Sequence, residues 1–159
     1  MTKIYAVNFA GAQFTHSHAA RLLLRYALLK DFNYKKAPEF TYGKRGKPFL
    51  VAPSNVWFNL SHSGDWAICA ISDVGEIGVD IQKVTPAKTR VAERVFTAEQ
   101  NAKLRTVSGA ERDELFCEYW VLREAAIKAI GGSVFDSVDV SRARLIDAPE
   151  GYRVALAVI

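Results

Sequence analysis

Residues 66–82, "WAICAISDVGEIGVDIQ", restrict the fold more than any other stretch of this chain. The run 66–72 is almost wholly apolar, "DVG" is a turn signal, and the chain then resumes as a second strand-like run. Short apolar runs rich in β-branched residues and bounded by turn signals read as strands. Two of them joined by so short a link read as a hairpin over 66–82, and so as part of an antiparallel sheet. In "GVDIQ", Val79 and Ile81 fall on one side of the strand and Asp80 and Gln82 on the other, because strand side chains alternate.

The rest of the chain supplies helices around such sheets. Residues 3–9 read as a strand. Thr15 or Ser17 can cap a helix through "HAARLLLRYALLKDF", where Ala20, Leu23, Leu24, Ala27 and Leu28 share one face. "APEFTYGKRGKPFL" reads as a basic loop, and "NVWFNL" as a strand. Thr97 with Gln100, and Ser108 with Glu111, fit capping boxes. The second box opens a long helix over about 109–130, ended by Gly131-Gly132. The tail closes as a hairpin around Pro149-Glu150-Gly151. The order predicts an α+β chain of two similar halves, residues 1–75 and 76–159, meeting near Gly75.

Composition narrows the class of function only a little. The 50% apolar and 24% charged residues are ordinary for a globular chain. No apolar run approaches the roughly 20 residues of a membrane span, and the start of the chain lacks a signal peptide's apolar core. A cytoplasmic location is expected. Cys69 and Cys117 sit among large apolar neighbours with no metal-ligand spacing, and are read as buried thiols. The net charge of +4 favours anionic partners without choosing among them. The basic residues are scattered and no aromatic stacking platform appears, which argues against nucleic acid.

Several polar positions carry chemistry only in combination. Read alone, "GVDIQ" is a strand with a wet outer face. Glu124 and Lys128, four apart on the long helix, read alone as an exposed ion pair worth about 0.2–0.5 kcal/mol. "GKRGKP" alone is a solvated loop, and its spacing is not that of a P-loop. His16 and His18 read as surface residues near a helix cap. Ser61-His62-Ser63 offers a hydrolase nucleophile with its base, a phosphate grip or a polar turn; the first suffers because adjacent strand side chains diverge.

The order of the segments is more telling than any one of them. "GKP" (46–48), "FNLSHSG" (58–64), "GVDIQ" (78–82), "FTAEQ" (96–100) and "WVLREAAIKAIG" (120–131) resemble the motif series of Sfp-type 4′-phosphopantetheinyl transferases. The resemblance covers about Arg21 to Gly131. It implies two pseudo-symmetric α+β halves with antiparallel sheets and a cleft between them for coenzyme A. It implies Mg²⁺-dependent transfer of phosphopantetheine from coenzyme A to a serine of an apo acyl or peptidyl carrier protein, releasing adenosine 3′,5′-bisphosphate. By the same resemblance Asp80 and Glu124 bind the metal with Gln82 beside them. Glu124 also takes the serine proton, and Lys128 meets the pyrophosphate. Ser61 and His62 grip the 3′-phosphate, Lys47 and Pro48 lie against the nucleotide, Arg45 contacts phosphate, and Arg21 faces the nucleotide.

Three departures from the family pattern stand out. Gln82 replaces an acid, so metal binding rests on two carboxylates. Arg123 replaces a lysine, keeping charge but not fork geometry. The chain is short for the family, with the shortening expected in loops and termini. A basic face of Lys83, Lys88, Arg90, Arg94, Lys103 and Arg105 suits an acidic carrier domain, or is simply solvated. The chain is expected to work as a monomer, without membrane contact. The alternative is a catalytically idle relative that only holds coenzyme A or a carrier.

Overall fold

The computed structural model describes residues 1–159 except Phe14 and Val134. Two three-stranded antiparallel sheets lie between two helices. The first sheet has the order β1 (Thr2–Asn8), β5 (Trp66–Ser72), β4 (Trp57–Ser63); the second has β6 (Ile77–Lys83), β8 (Tyr152–Val158), β7 (Ala143–Ile146). Helix α1 (His16–Phe32) covers the outer face of the first sheet, where Leu24, Ala27 and Leu28 pack on Phe58, Cys69 and Ile71. Helix α4 (Gly109–Ile130) covers the outer face of the second, with Val121, Ala125 and Ala129 against Ala155 and Ala157. Between the sheets, Ile68 and Ala70 meet Ile77, Val79, Ile81 and Leu156. The layers run helix, sheet, sheet, helix, and the chain is α+β as its pattern predicts.

The segment that most constrains the fold does not fold as a hairpin. β5 uses both its edges, pairing with β1 through Ile4 opposite Ala70 and with β4 through Leu60 opposite Cys69. β6 pairs with β8 instead, with Asp80 opposite Ala155. The physical reason is burial: Ala67 to Ser72 are all buried, and a strand apolar on both faces belongs in the centre of a sheet. The turn after it therefore passes the chain from one sheet to the next.

Other expectations meet the coordinates with smaller changes. Residues 37–50 are not all loop: β2 (Phe40–Tyr42) and β3 (Pro48–Leu50) form a short hairpin whose tip is the basic loop. Thr15 caps α1 by accepting from the His18 amide, and Thr97 with Gln100 completes a capping box at α3 (Ala98–Thr106). Ser108 flanks α4 without a side-chain cap bond, and the helix opens on Gly109 at φ 55°. The closing hairpin forms between β7 and β8. One further helix, α2 (Thr89–Val95), follows β6.

Candidate active site

Strand β4 presents Asn59, Ser61 and Ser63 on the face turned toward the second sheet. The Val79 amide donates to Asn59 Oδ1 at 2.9 Å, the Ile81 amide to Ser61 Oγ at 3.3 Å, and the Lys83 amide to Ser63 Oγ at 2.9 Å. Every second amide of β6 is thus met by every second side chain of β4. Side chains satisfy an edge that no neighbouring strand pairs, which removes the cost of burying unpaired amides. The two sheets are thereby held in a single register.

That register places Asp80 beneath α4. Asp80 is 5% exposed, so it lies under the helix rather than on a wet outer face. Gly78, two residues earlier, makes the approach possible. A Cβ there would collide with the Ala125 carbonyl oxygen and the Ala129 amide of α4. With the helix this close, the Lys128 ammonium donates to Asp80 Oδ1 at 2.5 Å, to Ser61 Oγ at 3.0 Å and to the Val79 carbonyl at 3.4 Å. Ser61 in turn donates to Asp80 Oδ1 at 2.8 Å. Lys128 therefore forms its ion pair across to β6, with Asp80, rather than along its own helix with Glu124.

Glu124 lies one turn before Lys128 and is half-buried. Its carboxyl is held above the ordinary glutamate range, first by burial and then by the negative charge of Asp80, with Lys128 and Arg123 opposing. Two acids from separate elements thus press on each other near one cation. Glu124 and Lys128 line an open cleft of about 300 Å³, with Arg45, Lys47 and Pro48 on the opposite wall. Among the described residues no three His, Cys, Asp or Glu side chains gather as a metal cluster. Two hard carboxylate donors whose mutual repulsion a cation would relieve nevertheless fit a Mg²⁺ ion that keeps water and substrate oxygens as its other ligands.

The remaining sequence-predicted residues divide. Lys47 lines the cleft, but its ammonium is engaged with Glu76 Oε2 at 2.9 Å and with the Ala129 carbonyl near the end of α4. Its stem packs against Gly131, the left-handed cap at φ 66° that ends the helix. Arg45 is exposed and paired with Asp136. Gln82 faces a second hollow, of about 150 Å³, with Lys88, Cys117 and Trp120. Arg21 lies on the exposed side of α1 beside Arg25 and does not line the 300 Å³ cleft.

Ser61 and His62, expected to grip one phosphate, stand in different surroundings. Their side chains leave opposite faces of β4. The Ser61 hydroxyl is 6% exposed and engaged with Asp80, Ile81 and Lys128. His62 instead stacks on His16 at 5.1 Å, and Phe9 meets His16 edge-on at 5.2 Å. Its imidazole is held below the ordinary histidine range, first by loss of water and then by His16 and Lys128. Sequence reasoning missed Asn59 and the bracing role of Ser63, although alternation of polar residues at 59, 61 and 63 carried the signal. It also missed Gly78 and Glu76, whose roles depend on contacts across the fold.

Comparison with known proteins identifies the family. The family model of the 4′-phosphopantetheinyl transferase superfamily matches residues 76–155, the part that contributes Asp80, Glu124 and Lys128. The chain belongs to that superfamily. It is similar to the 4′-phosphopantetheinyl transferase AcpT of Escherichia coli (strain K12), 38% identical over 124 residues, covering 77% of this chain and 60% of the relative. It is also similar to a 4′-phosphopantetheinyl transferase of Bacillus subtilis, 30% identical over 139 residues, covering 82% and 62%. HetI of Nostoc sp., another 4′-phosphopantetheinyl transferase, is 35% identical over 101 residues, covering 60% and 43%. The chain thus spans about 60% of the length of AcpT. Among the described residues no helix is long and apolar enough to cross a membrane.

Proposed function

We propose that this chain transfers 4′-phosphopantetheine from coenzyme A to a serine of an apo carrier protein, in the cytoplasm and as a monomer, with Mg²⁺ held by Asp80 and Glu124. The observation that carries the reading is the convergence of Asp80, Glu124 and Lys128 beside a 300 Å³ cleft. When bound, Mg²⁺ supplies charge neutralisation at the pyrophosphate. Glu124, on the cleft wall, accepts the carrier serine's proton. The serine oxygen forms a bond to the β-phosphorus. The bond from that phosphorus to the bridging oxygen breaks, and adenosine 3′,5′-bisphosphate leaves with the electron pair. Lys128, on the cleft wall, offsets charge developing on the departing phosphate.

Arg45, at the cleft mouth, suits a phosphate of the nucleotide, and Pro48 suits its base. His62 keeps a proposed role at the 3′-phosphate, while Ser61 is reassigned to positioning Asp80 and Lys128. Lys47 positions the end of α4. Gln82 faces the second hollow and reaches the metal through water. Lys83, Lys88, Arg90, Arg94, Lys103 and Arg105 are all exposed and suit an acidic carrier domain.

The test is incubation with coenzyme A, Mg²⁺ and a panel of apo carriers, scored by mass. A phosphopantetheine adduct that disappears with Glu124→Ala supports the reading. Coenzyme A binding with no adduct on any carrier refutes it in favour of the idle relative.

A further inference from the structure

The Lys128 ammonium has three N–H donors, and three protein acceptors surround it: Asp80 Oδ1, Ser61 Oγ and the Val79 carbonyl. In this arrangement it keeps no donor for a substrate phosphate. Its partner is unevenly used. Lys128 and Ser61 both bond Asp80 Oδ1, and among the described residues no hydrogen bond reaches Oδ2. The ion pair is partly sheltered, with the Lys128 side chain 27% and the Asp80 side chain 8% exposed.

We infer that Lys128 is a latch: without a divalent cation it stands in for that cation at Asp80, and cation binding at the unbonded Oδ2 releases its ammonium into the cleft to receive an anionic phosphate. The inference rests on the proposed transferase reading and concerns how that site is loaded. A divalent ion and an ammonium sharing one carboxylate repel each other, and the ammonium has somewhere to go. Its side chain already lines the 300 Å³ cleft that Arg45 and Pro48 share. Asp80, on a strand held at both edges, has little freedom to follow it. The latch has two consequences. An empty site keeps its buried carboxylate neutralised, which avoids an uncompensated charge under α4. The cation also strengthens anion binding indirectly, by returning a lysine to it, so the two ligands bind cooperatively through one side chain.

The experiment uses the intact chain and Mn²⁺ alone as probe. Binding to wild type and to Lys128→Met is measured at pH 8 by electron paramagnetic resonance. In parallel, ¹⁵N-lysine NMR follows the Lys128 ammonium of the wild-type chain during titration with MgCl₂. The latch predicts about tenfold or more tighter Mn²⁺ binding by Lys128→Met, since the competing cation is gone. It also predicts that the hydrogen-bonded ammonium signal shifts or exchanges away as Mg²⁺ saturates. The NMR arm needs no variant to fold, and it separates displacement from mere through-space repulsion. An ammonium signal unchanged in the Mg²⁺-saturated chain, or equal or weaker Mn²⁺ binding by the variant, overturns the latch and leaves the transferase reading standing. Failure of wild type and variant alike to bind millimolar Mn²⁺ alone overturns the latch, and the same failure with coenzyme A added overturns the metal-dependent reading as well.

Discussion

Ser61→Ala separates two roles that the sequence leaves joined. The hydroxyl is buried and bonded three ways: it donates to Asp80 at 2.8 Å and accepts from the Ile81 amide at 3.3 Å and from Lys128 at 3.0 Å. Removing it leaves the Ile81 amide without its acceptor, at a cost of about 1–3 kcal/mol for an unsatisfied buried group. It also removes a bond to an ionised carboxylate, worth about 1.5–3 kcal/mol. The two are neighbours and do not add in full, so the expected loss is about 2–4 kcal/mol. With a urea m-value of about 2 kcal/mol/M, the midpoint falls by about 1–2 M. The assay is urea unfolding followed by far-ultraviolet circular dichroism, alongside the KM for coenzyme A measured where the variant remains folded. The expected outcome is a large midpoint shift at unchanged m and a KM within about threefold. A stability within about 0.5 kcal/mol of wild type, with KM raised more than about tenfold, would refute the structural role and restore Ser61 as a direct phosphate ligand.

Two other substitutions probe the same assembly. Gly78→Ala places a methyl against backbone atoms of Ala125 and Ala129, which cannot rotate away, so α4 must lift from β6. Overpacking of this kind costs about 1–3 kcal/mol or more; thermal melting should show a clear fall in Tm, and transfer activity should fall further as Glu124 and Lys128 move from Asp80. A wild-type Tm would show that the helix is not so closely seated. Glu124→Gln should raise Tm at pH 8 while abolishing transfer. The sign follows from the raised carboxyl: the folded chain holds the proton more tightly than the unfolded chain, so stability is lost as pH rises through the folded value. The amide does not ionise, and its advantage should vanish below about pH 4, where the ordinary glutamate is also protonated. An advantage independent of pH would assign the effect to packing instead.

Much of the fold could be read locally, and the errors have particular causes. Thr15, Thr97 and the Gly131 stop are decided by neighbours a few residues away, so α1, α3 and the end of α4 follow from the chain itself. Strand pairing is not local. Nothing in "DVG" distinguishes a hairpin from a passage between sheets, because that choice depends on β1 and β4 having already taken both edges of β5. Lys47 reads as a loop cation, yet its ammonium meets Glu76 and the distant Ala129 carbonyl. Ser61 and His62 are adjacent in sequence and diverge in space, since alternation sends one to the sheet interface and the other toward α1.

By itself, the sequence determined which elements form and which residue types carry chemistry: the apolar periods, the caps, and the acids and lysine of β6 and α4. Only the tertiary structure decided that Asp80 bonds Lys128 rather than facing water, that Ser61 braces them, and that Gln82 and Arg21 lie elsewhere. The reason is range. Periodicity and capping act over one or two turns, whereas burial, charge pairing and the seating of a helix on a glycine are settled between residues dozens of positions apart.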